Sequence, residues 1–259
     1  MSPATTTVAV ELVGDRAQAA ALDGGDYLRP RLLSIDGPYV RIALIGVCGM
    51  LLAGDEVGVH IEIGHGVQLE IIEPAGMVAY DARGGRAGWT ATARVASGGV
   101  LVWRGAPFVV SGGADVRRHT ELSLEEGARA LLGETLVLGR SGEDSGRLHA
   151  TLRASHAERE LLTDELDLRS SALRSAPGIL GNARVLTTAA LLGVGGPAPA
   201  AVHETRLAGP GCLARALAQH AHEADAALEA TWSRWRHHAE HTTSDRTRNH
   251  LPELDGDRS

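Results

Sequence analysis

Residues 57–72, VGVHIEIGHGVQLEII, decide the fold, because they combine two strand patterns with a glycine turn. Apolar side chains alternate with polar or small ones before and after Gly66. A period of two places the two sets on opposite faces of a sheet. Gly66 can adopt the positive φ that a tight turn between strands requires. The stretch therefore predicts a strand, a turn and a second strand, each with one buried face.

The same strand–turn–strand outline recurs along the chain. It is present in LLSIDGPYVRIAL, ARVASGGVLVW and LSLEEGARALL, which turn at Gly37, Gly99 and Gly127. With Gly66, these glycines are separated by 29, 33 and 28 residues, and a fifth turn is expected near Glu158. Such a period is typical of stacked coils, although a chain with 32 glycines can also produce it by chance. We expect a mainly β protein with a layered, helical β (solenoid-like) fold.

Residues 156–168, HAERELLTDELDL, carry two conflicting patterns. Their composition favours a helix. The repeat instead makes them the second strand of a hairpin that turns near Glu158. We favour the strand.

The composition changes after Leu192. Residues 193–199 are rich in Gly and Pro and predict a surface loop. A short strand is expected within 203–207, and 3.6-residue spacing predicts an amphipathic C-terminal helix over about 210–238. We expect one domain over residues 1–241 and a disordered tail over 242–259. The helix face with Trp232 and Trp235 is either a partner surface or packed on the β core.

Composition and charge exclude several classes of function. All 25 basic residues are Arg, so a P-loop lysine and Schiff-base chemistry are absent. A net charge of −7 argues against nucleic acid as a partner. Apolar runs are too short to span a membrane, and the first residues lack the features of a secretory signal. Two cysteines indicate a reducing cytoplasm, with Cys48 expected as a small core residue.

Four residues are candidates for polar chemistry. Asp55 is expected to cap an apolar strand at a glycine turn, where an ordinary turn aspartate is the alternative. Glu134 lies within the apolar run ALLGETLVLG, where a carboxylate is costly unless it is paired, solvated or facing a metal. A single solvent-facing strand position is the alternative. His237 and His241 share one helix face at a spacing that can ligate Ni²⁺ or Zn²⁺, or they form a solvated helix end.

Several stretches share their order and spacing with one known family. They are Gly49-Met50-Leu51-Leu52-Ala53-Gly54-Asp55, the 57–72 stretch, Glu73-Pro74-Ala75-Gly76 with Tyr80, Trp103 with Pro107, and Glu134 with Leu138-Gly139-Arg140 and Gly142-Glu143. Over about residues 25–238 they resemble the urease accessory protein UreD (UreH) family. That family has a Gly-Gly-Leu-(Leu/Val)-Gly-Gly-Asp motif and an E-x-x-x-L-G-R-x-G-E motif. The departures are Met50, Ala53 and a missing Thr-Gln-Ala-Ala-Thr run.

The resemblance implies a non-enzymatic urease maturation factor with a helical β fold. It implies binding to UreF, to UreG through UreF, and to apo-urease, so that Ni²⁺ reaches the urease active site. A water-filled tunnel is the proposed nickel path of the family. Asp55 and Glu134 match motif positions and are candidate nickel-path or structural carboxylates, with Ni²⁺ bound transiently and no tightly bound cofactor.

Two other functions compete with this interpretation. The first is an enzyme on a β-solenoid, such as a polysaccharide lyase or an acyltransferase. The sequence has no hexapeptide period and only eight aromatic residues, which argues against both. The second is a histidine-rich metal-buffering protein that binds Ni²⁺ or Zn²⁺ through His237 and His241.

Overall fold

The computed structural model of the protein describes residues 4–242, and most of them lie in β-strands. The strands are β1 (Thr6–Val13), β2 (Arg16–Asp23), β3 (Leu28–Asp36), β4 (Tyr39–Gly46), β5 (Glu56–Ile63), β6 (Gln68–Ile72), β7 (Met77–Ala79), β8 (Ala87–Val95), β9 (Val100–Arg104), β10 (Phe108–Val110), β11 (Asp115–Leu124), β12 (Arg129–Leu138), β13 (Arg147–His156), β14 (Arg159–Asp167), β15 (Val185–Leu192), β16 (Glu204–Arg206) and β17 (Gly211–Ala218). The helices are α1 (Ser171–Arg174) and α2 (Ala221–His241).

The strands form two sheets, between which the chain passes repeatedly. Sheet A has the order β14-β13-β11-β8-β5-β1-β2, and sheet B has the order β16-β17-β15-β12-β9-β6-β4-β3. Three turns carry the chain from sheet A to sheet B, from β5 to β6, from β8 to β9 and from β11 to β12, whereas β1–β2, β3–β4 and β13–β14 are antiparallel hairpins within one sheet. Strands of successive coils pair in parallel. The predicted layered, solenoid-like β fold with a C-terminal helix is confirmed.

The coil length corrects one detail of the predicted repeat. In sheet B, Leu69 pairs with Leu101, 32 residues on, and Leu101 pairs with Ala130, 29 residues on. The turn before β9 has its positive φ, +71°, at Gly98, whereas the sequence pattern had assigned the turn to Gly99. With Gly98, the turn glycines repeat at the same intervals as the paired strands. The positive-φ turn glycines of these coils are Gly37, Gly66, Gly98 and Gly127.

Residues 159–167 of the ambiguous stretch 156–168 form the second strand of a hairpin, β14, as the repeat predicts. β13 and β14 form an antiparallel pair, and the turn between them is made by Ala157 and Glu158, both with positive φ. The short strand predicted within 203–207 is β16. Residues 193–199 have no helix or strand, as their Gly and Pro content predicts.

The C-terminal helix begins later than predicted. Residues 211–218 form β17, which pairs with both β15 and β16, and α2 starts at Ala221. The spacing of Leu213 and Leu217 fits a helix, but ladder hydrogen bonds on both sides of β17 outweigh that local preference. The predicted tail 242–259 lies outside the described residues except for Thr242.

Helix α2 packs on the outer face of sheet B. Trp232 is 6% exposed and Trp235 is fully buried, and both contact a cluster that includes Val102 and Leu191. The expectation that these tryptophans form a partner surface is therefore wrong, and the alternative of packing on the β core is confirmed. Packing on sheet B is favoured because it removes the large apolar area of two indole rings from water.

The segment that connects β4 and β5 also differs from expectation. Cys48 is exposed there, so its predicted place in the core is wrong. Leu51 is buried at a φ of +63° and belongs to this loop, so Asp55 follows a loop residue rather than an apolar strand. Within residues 4–242, no helix is both long and apolar enough to cross a membrane.

Candidate functional site: a polar cavity between the sheets

Glu134 points into the space between the two sheets. It lies on β12 in phase with Ala130, Leu136 and Leu138, which belong to the inter-sheet core. Its carboxylate forms an ion pair with the guanidinium of Arg118 on β11 of the opposite sheet. Glu134 therefore lies on the inward face of β12 and has the charged partner that a carboxylate among apolar neighbours requires, while part of its side chain remains exposed.

Aromatic rings hold Arg118 in place. Its guanidinium carbon lies 4.9 Å from the ring centroid of Trp89 and 4.8 Å from that of Phe108. Guanidinium groups are attracted to the negative faces of such rings. The side chain of Arg118 is 10% exposed and that of Glu134 is 30% exposed. The pair is thus an ion pair that connects the two sheets, and Arg118 is its more buried partner.

A cavity of about 60 Å³, called here the inter-sheet cavity, adjoins this pair. Asp164 of β14 also lines the cavity. It forms a second ion pair, with Arg215 of β17. The remaining walls are mainly apolar or hydroxyl-bearing. A water molecule needs roughly 10–15 Å³ of such volume, so the cavity can hold a few waters. Its polar lining includes Arg118, Thr120, Glu134, Thr151, Asp164 and Thr188.

Glu73 is a third carboxylate close to this region. One oxygen accepts a hydrogen bond from Trp103 Nε1 at 2.8 Å, and the other accepts from the backbone N–H of Ala106 at 3.1 Å. Burial raises the pKa of Glu73 above its ordinary value, against the opposing effects of Arg118 and of the two hydrogen bonds. The nearby charge of Glu134 raises the pKa further.

Asp55 holds the loop before β5. Its Oδ1 accepts from the hydroxyl of Tyr27 at 3.0 Å, and its Oδ2 accepts from the N–H of Leu52 at 2.9 Å. Burial and this hydrogen bond raise the pKa of Tyr27. Asp55 is not among the residues that line the inter-sheet cavity. The structure therefore gives Asp55 and Glu134 different partners and does not unite them in that cavity.

His237 and His241 lie together on the last turns of α2. Their rings stack with centroids 4.3 Å apart, and His241 Nδ1 lies 3.0 Å from the carbonyl oxygen of His237. Both residues are exposed. Among residues 4–242, no group of three or more His, Cys, Asp or Glu side chains is arranged to hold a metal ion.

Sequence reasoning missed Arg118, Glu73 and Asp164. A signal for Arg118 was available, because it shares the inward phase of Val116 and Leu122 on β11. A charged residue in the buried phase of a strand requires a partner, and the partner is Glu134. Glu73 and Asp164 carried no comparable signal, because their burial depends on how distant strands stack.

Comparison with known proteins assigns the family. A family profile described as UreD urease accessory protein matches residues 29–249. The chain is 44% identical over 237 residues to urease accessory protein UreD 1 of Streptomyces griseus, covering 91% of this chain and 93% of that protein. It is 34% identical over 224 residues to UreD of Frankia casuarinae, covering 73% and 70%. With UreD of Parafrankia sp. it shares 32% identity over 268 residues, covering 85% and 86%. The chain belongs to the UreD family of urease accessory proteins.

Proposed function

We propose that this protein is a non-catalytic urease maturation factor that binds apo-urease together with UreF, and UreG through UreF. In this role it delivers Ni²⁺ to the urease active site. Membership of the UreD family supports the role in maturation. Both cysteines are free thiols, which supports action in the reducing cytoplasm.

The observation that carries nickel delivery is the inter-sheet cavity with its paired charges. Glu134 places carboxylate oxygens against a space that can hold water inside a β sandwich. Oxygen ligands bind Ni²⁺ more weakly than imidazole or thiolate ligands do, and weak binding permits release. We assign Glu134 to the nickel path. We assign Asp55 a structural role, because both of its oxygens tie the loop to Tyr27 and Leu52.

The exposed pair His237 and His241 suits a weak surface site for the same ion. Two imidazoles at i and i+4 can ligate Ni²⁺. Their stacked rings place both side chains on one side of the helix end. This pair is a candidate for collecting nickel and is separate from the interior path.

An enzymatic role finds no support in the aromatic side chains. Of the eight, which all lie within residues 4–242, Tyr80 is the exposed one, at 41%. A sugar-processing enzyme would need an aromatic platform open to its substrate. A lyase is therefore a poor fit to the surface that the structure describes.

Co-expression tests the proposed partners. The chain is produced with UreF and with apo-urease, and each is captured through a tag on the other protein. We expect both to co-purify with the wild-type chain and with Glu134→Gln, because Glu134 is interior. Absence of both partners under conditions where UreF itself is soluble would contradict the docking role.

Replacement of the carboxylates tests the nickel role. We expect Glu134→Ala to lower the rate at which urease gains activity in cells. Asp55→Ala is expected to act through stability, so its effect should follow the amount of folded protein. Activation at the wild-type rate by Glu134→Ala would contradict the assignment of Glu134.

A further inference from the structure

The outer edge of sheet B exposes two adjacent leucines near the start of the chain. β3 is the last strand of this sheet, so it pairs with β4 on one side and with no strand of residues 4–242 on the other. Leu32 is 44% exposed and Leu33 is 52% exposed. Arg31 and Ser34, on either side of them, are exposed as well. Residues 31–36, called here the β3 ridge, therefore present an apolar centre to solvent at one end of the stacked coils.

A β-bulge explains why both leucines are exposed. In a regular strand, neighbouring side chains point to opposite faces of the sheet. Leu32 pairs with a residue of β4 and so does Ser34, whereas Leu33 between them is an extra residue with no pair. A bulge of this kind changes the direction of a side chain and increases the local twist. Leu33 is therefore released from the alternation that buries every second residue of a strand.

The strands at the other ends of the two sheets do not share this property. The exposed side chains of β2, β14 and β16 are polar or charged, apart from Ala20 on β2. Polar residues of this kind are the usual protection of a sheet edge and of a terminal coil. Two adjacent leucines on the β3 edge alone indicate a surface that another molecule covers.

The covering molecule does not extend the sheet. Pro30 has no N–H group to donate to a neighbouring strand, and the bulge at Leu33 interrupts the edge. Both features are known to oppose the addition of a strand. The contact must therefore be made by side chains of the β3 ridge.

The charges of the β3 ridge match a second copy of the same ridge. Arg31 precedes the two leucines and Asp36 follows them, and both residues are exposed. Within residues 4–242, neither side chain has an ion pair or a hydrogen bond. If two ridges face each other in antiparallel directions about a two-fold axis, Arg31 of each copy lies opposite the partner's Asp36. An isologous contact forms both ion pairs at once, because each surface is its own complement.

We propose that the β3 ridge is a self-association surface through which two copies of this chain form a dimer about a two-fold axis. Leu32 and Leu33 of both copies pack together at the centre of the contact. Two ion pairs between Arg31 and Asp36 flank them and set the antiparallel direction. Two half-exposed leucines per copy remove only a small apolar area from water, so the dimer is weak and its population depends on concentration.

Sedimentation equilibrium of the purified chain tests the apolar part of the contact. A range from about 1 µM to about 300 µM spans the affinity of a weak interface. We expect a monomer–dimer equilibrium, and Leu33→Ser should raise its dissociation constant about tenfold or more, because each dimer loses two leucines. Leu173→Ser is the control, since Leu173 on α1 is 47% exposed and lies outside the ridge. A monomer at every concentration, open-ended association, or an equal effect of the control would overturn the proposal.

Exchange of the two charges tests the direction of the contact. Arg31→Asp and Asp36→Arg each place like charges opposite one another across the axis, so each should weaken the dimer. The double variant Arg31→Asp/Asp36→Arg restores opposite charges and should return the dissociation constant to near the wild-type value. A double variant that binds no more tightly than the single variants would refute the pairing of Arg31 with Asp36. Because neither UreF nor urease is present, the result is independent of whether the chain supports urease maturation in cells.

Discussion

The carboxylate of Glu134 and the guanidinium of Arg118 form an ion pair across the two sheets, while Trp89 and Phe108 flank the guanidinium at 4.9 and 4.8 Å. The two charged residues are 16 positions apart on consecutive strands of one coil. The pair therefore links the two layers of that coil and fixes a charged site between the sheets. The path proposed for nickel passes this pair.

Removing one charge of the pair should destabilise the fold. Glu134→Gln leaves Arg118 largely buried without its counter-charge, so we expect a loss of about 1–3 kcal/mol in the free energy of unfolding. Urea denaturation measures it. The double variant Arg118→Met/Glu134→Leu removes both charges and should be less destabilised than the sum of the single changes. Additive effects would show that the two residues do not interact.

Glu204 should contribute stability at neutral pH that is lost in acid. Its side chain is 2% exposed, accepts from Thr231 Oγ1 at 2.7 Å and from the N–H of Ala200 at 2.9 Å, and pairs with Arg234. Burial alone would raise the pKa of Glu204, but these donors lower it below the ordinary 4.5. The ionised group therefore stabilises the fold above pH 4.5, and this contribution is lost as the pH falls through the folded-state pKa.

Thermal unfolding at several pH values tests this linkage. Between pH 6 and about pH 3, the wild type should lose more stability than Glu204→Gln, since the variant has no carboxylate to protonate. Glu160→Gln, an exposed change, should follow the wild type. Parallel pH profiles for the wild type and Glu204→Gln would contradict the assignment.

Glu73 should show the opposite dependence. Because burial raises the pKa of Glu73, the ionised form opposes folding, and stability falls as the pH rises from the ordinary value of 4.5 through the folded-state pKa. Glu73→Gln resembles the neutral form and should remove this loss, becoming more stable relative to the wild type as the pH rises. Chemical denaturation of both proteins from pH 4 to pH 8 measures the difference. A constant difference across that range would show that Glu73 does not titrate in this way.

The turn at Gly98 should resist substitution. Its φ of +71° is strained for any residue with a Cβ, so we expect Gly98→Ala to cost about 1–2 kcal/mol. Gly49 has open space around it and no positive φ, so Gly49→Ala is a suitable control with a small effect. Urea denaturation compares the two. Equal stabilities would mean that the coil tolerates another turn conformation at 98.

Much of the fold could be predicted from the sequence because the repeat of strands and turns is determined by patterns among neighbouring residues. Strand alternation and turn glycines such as Gly66 are properties of neighbouring residues. The start of α2 was misplaced because Leu213 and Leu217 also fit a helical period, and pairing of β17 with two distant strands decided the outcome. The pattern of neighbouring residues contains no information about those distant strand partners.

The candidate site was predictable only in part. Glu134 stood out because a carboxylate within an apolar run needs a partner. Its partner Arg118, the second pair of Asp164 with Arg215, and the hydrogen bonds of Glu73 all join residues from different coils or layers. Such contacts depend on the register between strands. Asp55 was a reasonable candidate by motif, but its environment is that of a loop tether.

The nickel content of urease made with and without this chain tests the account most directly. Urease is expressed with its other accessory proteins, purified, and analysed for nickel per active site alongside its activity. We predict nickel-poor, inactive urease without the chain, restoration by the wild type, and incomplete restoration by Glu134→Gln at equal amounts of folded protein. Urease with full nickel content and activity in the absence of the chain would contradict the account.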